Sequence, residues 1–274
     1  MLTICIILIV LLVLDLLFTL ALRCRKGHRK WEVLKKYRYA HRGYHDKPVV
    51  PENSLPAFRR AIERGFGAEL DVHLLKDGTL AVFHDSDLKR CANVEGEIED
   101  LTLDELKQLR LEGTDEQIPT FDEVLALFEH ETPLIIELKT ARGNHMALAK
   151  AVCERLDSYQ GEFCIESFDP FALIDVKKLR PEICRGQLSM NFEKDKAGLP
   201  WYKRFIAGNL LLNFLTVPDF IAYQFEDRSS YCLRSCVRVW GAQEVNWTIR
   251  AKEDLLACEA AGGVPIFERF DPEA

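Results

Sequence analysis

Residues 67–85 read GAELDVHLLKDGTLAVFHD. In an extended chain Glu69, Asp71 and His73 fall on one side, and Leu70, Val72 and Leu74 on the other. Lys76-Asp77-Gly78 then has turn chemistry, and LAVFHD returns as a second strand. Facing solvent, the carboxylates of the first strand describe an ordinary half-buried edge. Facing a cavity, two carboxylates side by side call for a cation. The stretch alone leaves both readings open, and the surrounding chain separates them.

After residue 40, short apolar runs alternate with longer helical stretches, the pattern of parallel β/α units. The strand candidates are KYRYAHR, GAELDVHLL, PLIIELK, GEFCIESF, EICRGQL, DFIAY, EVNWTI and VPIFE. Between them SLPAFRRAIERG carries a Ser54 N-cap and a closing glycine, and TFDEVLALFEH, NHMALAKAVCERLDSY, DPFALIDVKKLRP and RAKEDLLACEAAGG read as further helices. Eight strands in roughly 230 residues suit an α/β fold of the (β/α)₈ TIM barrel type. A doubly wound open sheet is the alternative, weakened by the lack of a G-x-G-x-x-G turn. Residues 74–116 fit neither a barrel helix nor a strand, and read as a small insertion after the second strand.

The first 22 residues, MLTICIILIVLLVLDLLFTLAL, hold no Lys or Arg and one acid, Asp15. Such a run spans a hydrocarbon core of about 30 Å. Asp15 costs about 2.5–3.5 kcal/mol on insertion scales, which the surrounding Leu, Ile, Val and Phe outweigh. A cleaved signal peptide competes, but it expects a basic start and a small-x-small cleavage site, and neither is present. Residues 1–22 are therefore expected to form a single-pass anchor. Residues 23–36 form a basic juxtamembrane segment, and residues 37–274 the barrel. Eight Lys or Arg against Glu32 alone in residues 23–40 place the barrel on the cytoplasmic side of the membrane. That cluster either rests on anionic headgroups or acts only as a topology signal.

From residue 41 onward 28 Lys and Arg face 41 Asp and Glu, a balance of −13 that argues against a nucleic-acid partner. Nine cysteines without a Cys-x-x-Cys pair, mostly in apolar company, fit a reducing compartment.

In a (β/α)₈ barrel, reactive groups sit at the C-terminal ends of strands. That rule gathers His41-Arg42-Gly43 from the first strand, Glu69-x-Asp71 from the second and Glu137-x-Lys139 from the third. The insertion adds His84-Asp85, the first loop Glu52-Asn53, and the seventh strand Trp247. Glu69, Asp71 and Glu137 are hard oxygen donors suited to Mg²⁺ or Ca²⁺. Arg42 and Lys139 suit the charge of a phosphodiester, and His41 and His84 suit proton transfer on either side of phosphorus. No G-x-S-x-G elbow offers a serine nucleophile.

The string HRGYHDKPVVPENSLPAFRRAIERGFGAELDVHLLKDGTLAVFHD, followed by IPTFDEVL, LIIELKT, ESFDP and NWTI, resembles the glycerophosphodiester phosphodiesterase family over nearly all of residues 40–250. The resemblance implies a barrel of the kind shared with phosphatidylinositol phospholipases C. It implies a divalent cation on Glu69, Asp71 and Glu137, phosphate on Arg42 and Lys139, and His41 and His84 as the acid–base pair. Glu52, Asn53 and Trp247 are possible supporting residues. The implied reaction passes through a cyclic phosphate, which water opens to glycerol 3-phosphate and a free alcohol.

The chain departs from the family in two places. Its end reads GGVPIFERFDPEA rather than a G-I-I-T-D-R-P-like strand, so no role is carried to Glu268. Before Ser-Phe the fourth strand has Glu166, read as a surface-facing strand end, with a fourth carboxylate near the metal as the other reading. Residues 201–223, WYKRFIAGNLLLNFLTVPDFIAY, are too short and interrupted to span a membrane. They either lie in the membrane interface or pack as a barrel helix. Three functions remain in view: hydrolysis of small glycerophosphodiesters, a lysophospholipase D-like reaction on a lysophospholipid at the membrane, and an inactive membrane-bound scaffold.

Overall fold

The apolar runs become the strands of a closed parallel barrel. The computed structural model describes residues 1–195 and 198–274. Its barrel strands are β1 (Tyr39–Ala40), β2 (Gly67–Leu74), β3 (Leu134–Leu138), β4 (Phe163–Ser167), β5 (Arg185–Ser189), β6 (Phe220–Gln224), β7 (Gln243–Ile249) and β8 (Val264–Phe267). Neighbours pair in chain order, and β1 closes the ring by pairing Tyr39 with both Gly67 and Ile266.

Strand alternation divides the apolar residues between two cores. Ile135, Cys164, Phe220, Ala222 and Val245 fill the interior, whereas Ile136, Leu138 and Ile165 face the helices outside. The Tyr39 ring fills the lower barrel because its neighbour is Gly67, where any Cβ would collide with it.

The long helices are α1 (Leu2–Ala21), α2 (Leu55–Glu63), α3 (Phe121–Phe128), α4 (His145–Leu156), α5 (Pro170–Leu179), α6 (Trp201–Gly208) and α9 (Lys252–Ala260). The shorter α7 (Asn213–Thr216) and α8 (Tyr231–Ser235) lie between the last two. Ser54 Oγ caps α2 by accepting from the Ala57 amide, and Thr120 with Glu123 forms a capping box on α3. The insertion contains a return strand, Leu80–Val82, antiparallel to β2, and a small core of Leu75, Phe83, Leu88, Ile98 and Leu106.

Part of the basic segment after α1 belongs to the barrel. Trp31 is buried edge-on against Phe220 at 4.9 Å, and Leu34 is buried beside it, closing the N-terminal end. Arg25 binds both carboxylate oxygens of Asp219. Helix α1 is 20 residues long, and by length and composition it is apolar enough to cross a membrane.

Candidate active site

The reactive side chains converge at the C-terminal ends of β1, β2, β3 and β4. His41 follows β1 directly, its amide held by the Phe267 carbonyl. The backbone then turns sharply, with left-handed φ values of 55° at Arg42 and 80° at Gly43. Gly43 permits the turn, since a Cβ there would lie 2.9 Å from that of Ala57. The turn brings the Arg42 amide to Glu69 Oε2, 3.0 Å away.

Parallel register places Asp71 opposite Glu137, and Glu137 opposite Glu166. Glu69, Asp71 and Glu137 each offer an oxygen, and those oxygens all lie within 4.8 Å of one another. All three carboxylates are buried. Asn53 donates to Asp71 Oδ2 at 2.8 Å, and Lys139 Nζ lies 3.0 Å from Glu137 and 3.4 Å from Asp71. Arg42 reaches Glu52 at 2.8 Å and approaches Asp71 at 3.6 Å. Glu52 also binds Lys47 and Arg90, so three cations meet on one carboxylate.

The reading of Glu166 as a surface-facing strand end is corrected. It is buried inside the barrel, and its Oε2 has no hydrogen-bond partner among the described residues. The parity of β4 decides this: Cys164 and Glu166 point inward and Ile165 points out.

Two cations, Arg42 and Lys139, face four carboxylates. Two unit charges 4–5 Å apart repel by roughly 3–4 kcal/mol at an effective dielectric of about 20. Burial, then the charges of Asp71, Glu137 and Glu166, hold the Glu69 carboxyl well above its ordinary pKa. Glu137 is raised by burial and Asp71, despite Lys139. Burial also acts on Asp71, but Lys139, His84, Arg42 and the Asn53 amide outweigh it and keep that carboxyl ionised. Asp71 Oδ1 and Glu166 Oε2 remain without hydrogen bonds among the described residues. A hard divalent cation satisfies this donor set in both charge and ligand type.

Each histidine has a carboxylate behind it. His41 Nδ1 lies 2.7 Å from Glu268 Oε2, and His41 Nε2 is 3.9 Å from Glu69. Glu268 is itself held by Arg250 at 2.7 Å. Burial and the Arg42 charge lower the His41 pKa to about 4 against the pull of Glu268. On the opposite side, His84 Nδ1 lies 2.6 Å from Asp85, which is gripped by Arg90. His73, third in the alternating strand, is a strut: its Nδ1 meets Glu99 at 2.7 Å and its Nε2 reaches the His84 carbonyl at 3.2 Å. Trp247 stands edge-on to Phe168 at 5.6 Å, and Phe168 leads to Phe192 at 6.1 Å, forming an aromatic wall.

The model for the glycerophosphoryl diester phosphodiesterase family matches residues 41–258. The chain belongs to this family. A glycerophosphodiester phosphodiesterase of Caldanaerobacter subterraneus subsp. tengcongensis is 33% identical over 235 residues, covering 81% of this chain and 89% of that one. A phosphodiesterase of Oleispira antarctica, solved in complex with the product sn-glycerol-3-phosphate, superposes with a TM-score of 0.69 at 26% identity, covering 85% of this chain and 92% of that one. The lysophospholipase D of Rattus norvegicus is 35% identical over 124 residues, 40% of this chain and 38% of that one.

Sequence reasoning gave no role to Glu268 in this family member. The strand-end rule that gathered the other groups points to it, because it directly follows β8. Glu268→Gln is expected to leave the fold and KM nearly unchanged and to lower kcat by about 10²–10⁴-fold, because an amide favours the wrong His41 tautomer. A pH–rate profile checks the role. The acid limb moves in a positioning defect and stays put in a purely structural one.

Glu166 gives a stability prediction for the protein held in chelator. Burial and the charges of Glu137 and Asp71 raise its carboxyl pKa well above the ordinary value. Below that ordinary value the group is protonated in both folded and unfolded chains. As pH rises, the unfolded chain ionises first, and stability is lost towards the folded pKa. Glu166→Gln is therefore expected to stabilise the chelated protein by about 1–4 kcal/mol at pH 8 and by less at pH 5. Urea melts at the two pH values read this directly.

Proposed function

We propose that the chain is a metal-dependent phosphoric diester hydrolase that converts glycerophosphodiesters to glycerol 3-phosphate and an alcohol. The observation that carries this is two histidines, each backed by its own carboxylate, flanking a buried carboxylate triad beside Arg42 and Lys139. Arg42 and Lys139 bind the non-bridging phosphate oxygens and oppose the charge that builds there. Glu69, Asp71 and Glu137 would hold the cation, Mg²⁺ or Ca²⁺, which when bound supplies Lewis-acid stabilisation of that charge.

Glu268 accepts a hydrogen bond from His41 Nδ1–H, which leaves Nε2 free to take a proton from the glycerol hydroxyl. The low His41 pKa keeps that nitrogen unprotonated at neutral pH. The hydroxyl oxygen bonds to phosphorus as the bond to the leaving alcohol breaks, and His84 Nε2 protonates that alcohol. In the second half His84 takes a proton from water, water opens the cyclic phosphate, and His41 returns its proton to the glycerol oxygen.

A product assay on glycerophosphocholine tests the reading. Glycerol 3-phosphate with free choline supports it, and release of phosphocholine contradicts it. A second reading, lysophospholipase D-like cleavage at a membrane, is favoured by the aromatic wall of Phe168, Phe192 and Trp247 and by the likeness to the rat enzyme. Comparing glycerophosphocholine with lysophosphatidylcholine separates the two substrate classes. An intact set of reactive side chains speaks against an inactive scaffold. Helix α1 is taken as a single-pass anchor with the barrel on the cytoplasmic side, supported by its apolar length and the Lys and Arg that follow it.

A further inference from the structure

We propose that the face built by α6, α7 and α8 around the end of α1 is a membrane-contact surface. It seats in the interface of an anionic bilayer, and the catalytic end of the barrel opens towards the lipid. The inference rests on the reading of α1 as a retained anchor and extends it to the globular body.

The first observation is surplus apolar surface. Trp201 is 71% exposed, Phe205 54% and Tyr231 64%, and Tyr202, Phe214 and Val239 are exposed with them. Packing of this layer against the barrel is already supplied by Leu210, Leu233 and Cys236, which are buried with Ile221 and Tyr223. On α6, Trp201 and Phe205 lie one turn apart on the same helix face, with Tyr202 beside them. Exposed aromatics of this kind mark a contact site, and Trp and Tyr are the side chains that favour the membrane–water interface.

Charge points to the same partner. Residues 199–218 and 228–243 contain Lys203, Arg204, Arg228, Arg234 and Arg238 and no acid, in a body whose overall balance is −13. Arg204 pairs with Glu193 and Arg228 with Glu244, which leaves Lys203, Arg234 and Arg238 outside any ion pair among the described residues. An anionic surface repels the rest of the barrel and attracts this face.

Continuity with α1 fixes the occupant. The Phe18 ring stacks on Tyr231 at 6.1 Å, the Trp240 indole donates to the Thr19 carbonyl at 3.0 Å, and Leu22 is fully buried among the residues of this layer. Residues 2–17 of the helix are exposed. The apolar helix therefore departs from this face, and the lipid it enters begins beside the aromatics. Both α6 and α8 open after loops that leave the C-terminal ends of β5 and β6, so Trp201, Tyr202 and Tyr231 lie towards the end of the barrel that carries the histidines.

The full-length protein in phosphatidylcholine/phosphatidylglycerol vesicles tests this. Subtracting the emission of Trp201→Phe isolates the Trp201 signal. A nitroxide placed high on the lipid chain should quench that signal more strongly than one near the chain end, because an interfacial helix sits about 5–10 Å deep. Aqueous acrylamide should quench it weakly. Strong quenching by acrylamide with none by lipid nitroxide would overturn the surface. So would protection from both quenchers accompanied by a crosslinked dimer, which would give the face to a second copy. Neither readout uses turnover, so a failed surface leaves the hydrolase reading standing. As a second arm, Trp201→Ser/Tyr202→Ser/Phe205→Ser should slow hydrolysis of vesicle-borne lysophosphatidylcholine roughly tenfold and leave water-soluble glycerophosphocholine unaffected. Equal rates for wild type and variant on the vesicle substrate would count against the surface.

Discussion

His84→Ala is expected to lower kcat for diester cleavage by about 10²–10⁴-fold while the barrel stays folded. The side chain is 28% exposed, follows the return strand of the insertion and belongs to none of the apolar cores, so its loss opens no cavity there. Its anchors survive it, because Asp85 stays bound to Arg90 and His73 stays bound to the backbone carbonyl of residue 84. Stability is expected to change by less than about 1 kcal/mol. The check is a pair of measurements on one preparation, a rate and a thermal melt. A substrate whose leaving alcohol is already a good leaving group, such as a nitrophenol, should recover much of the lost rate, because it needs no protonation. Normal turnover on an ordinary diester would remove His84 from the reaction.

Asp71→Asn is expected to cost about 10²–10⁴-fold in rate, the value of several kcal/mol of transition-state charge stabilisation. Asp71 is the most consequential of the three carboxylates. Lys139, Arg42 and the Asn53 amide keep it ionised, whereas Glu69 and Glu137 are both pushed towards their protonated forms when no cation is present. A neutral Asn removes the carboxylate that both cations approach and leaves Lys139 and Arg42 with less to balance them. The cation concentration giving half-maximal rate should therefore rise, and excess Mg²⁺ or Ca²⁺ should restore part of the activity. A loss of rate with no change in cation dependence would assign Asp71 to phosphate positioning instead.

The strands and the gathering of site residues were legible because they depend on local pattern. The alternation of Glu69 and Asp71 with Leu70 and Val72 sets which side faces inward, and the strand-end rule brings Glu137 and Lys139 alongside. What stayed hidden depends on register or on distant contacts. Glu166 sits opposite Glu137 only once β3 and β4 are aligned, and a strand of five residues does not announce which parity faces in. Glu268 meets His41 across 227 positions of chain, through a closing strand whose sequence departs from the family pattern. Trp31 fills the barrel floor from inside a stretch whose charge advertises a membrane role. His73 shares the parity of Glu69 and Asp71, yet the insertion supplies Glu99 and turns it into a support for His84.

The most direct measurement is a calorimetric titration of Ca²⁺ and of Mg²⁺ into chelator-stripped, full-length protein. One equivalent of at least one cation is expected to bind, with Glu69→Gln/Glu137→Gln weakening it by about 100-fold or more. Equal binding by that variant, or full diester hydrolysis in chelator by a protein that binds neither ion, would contradict the account.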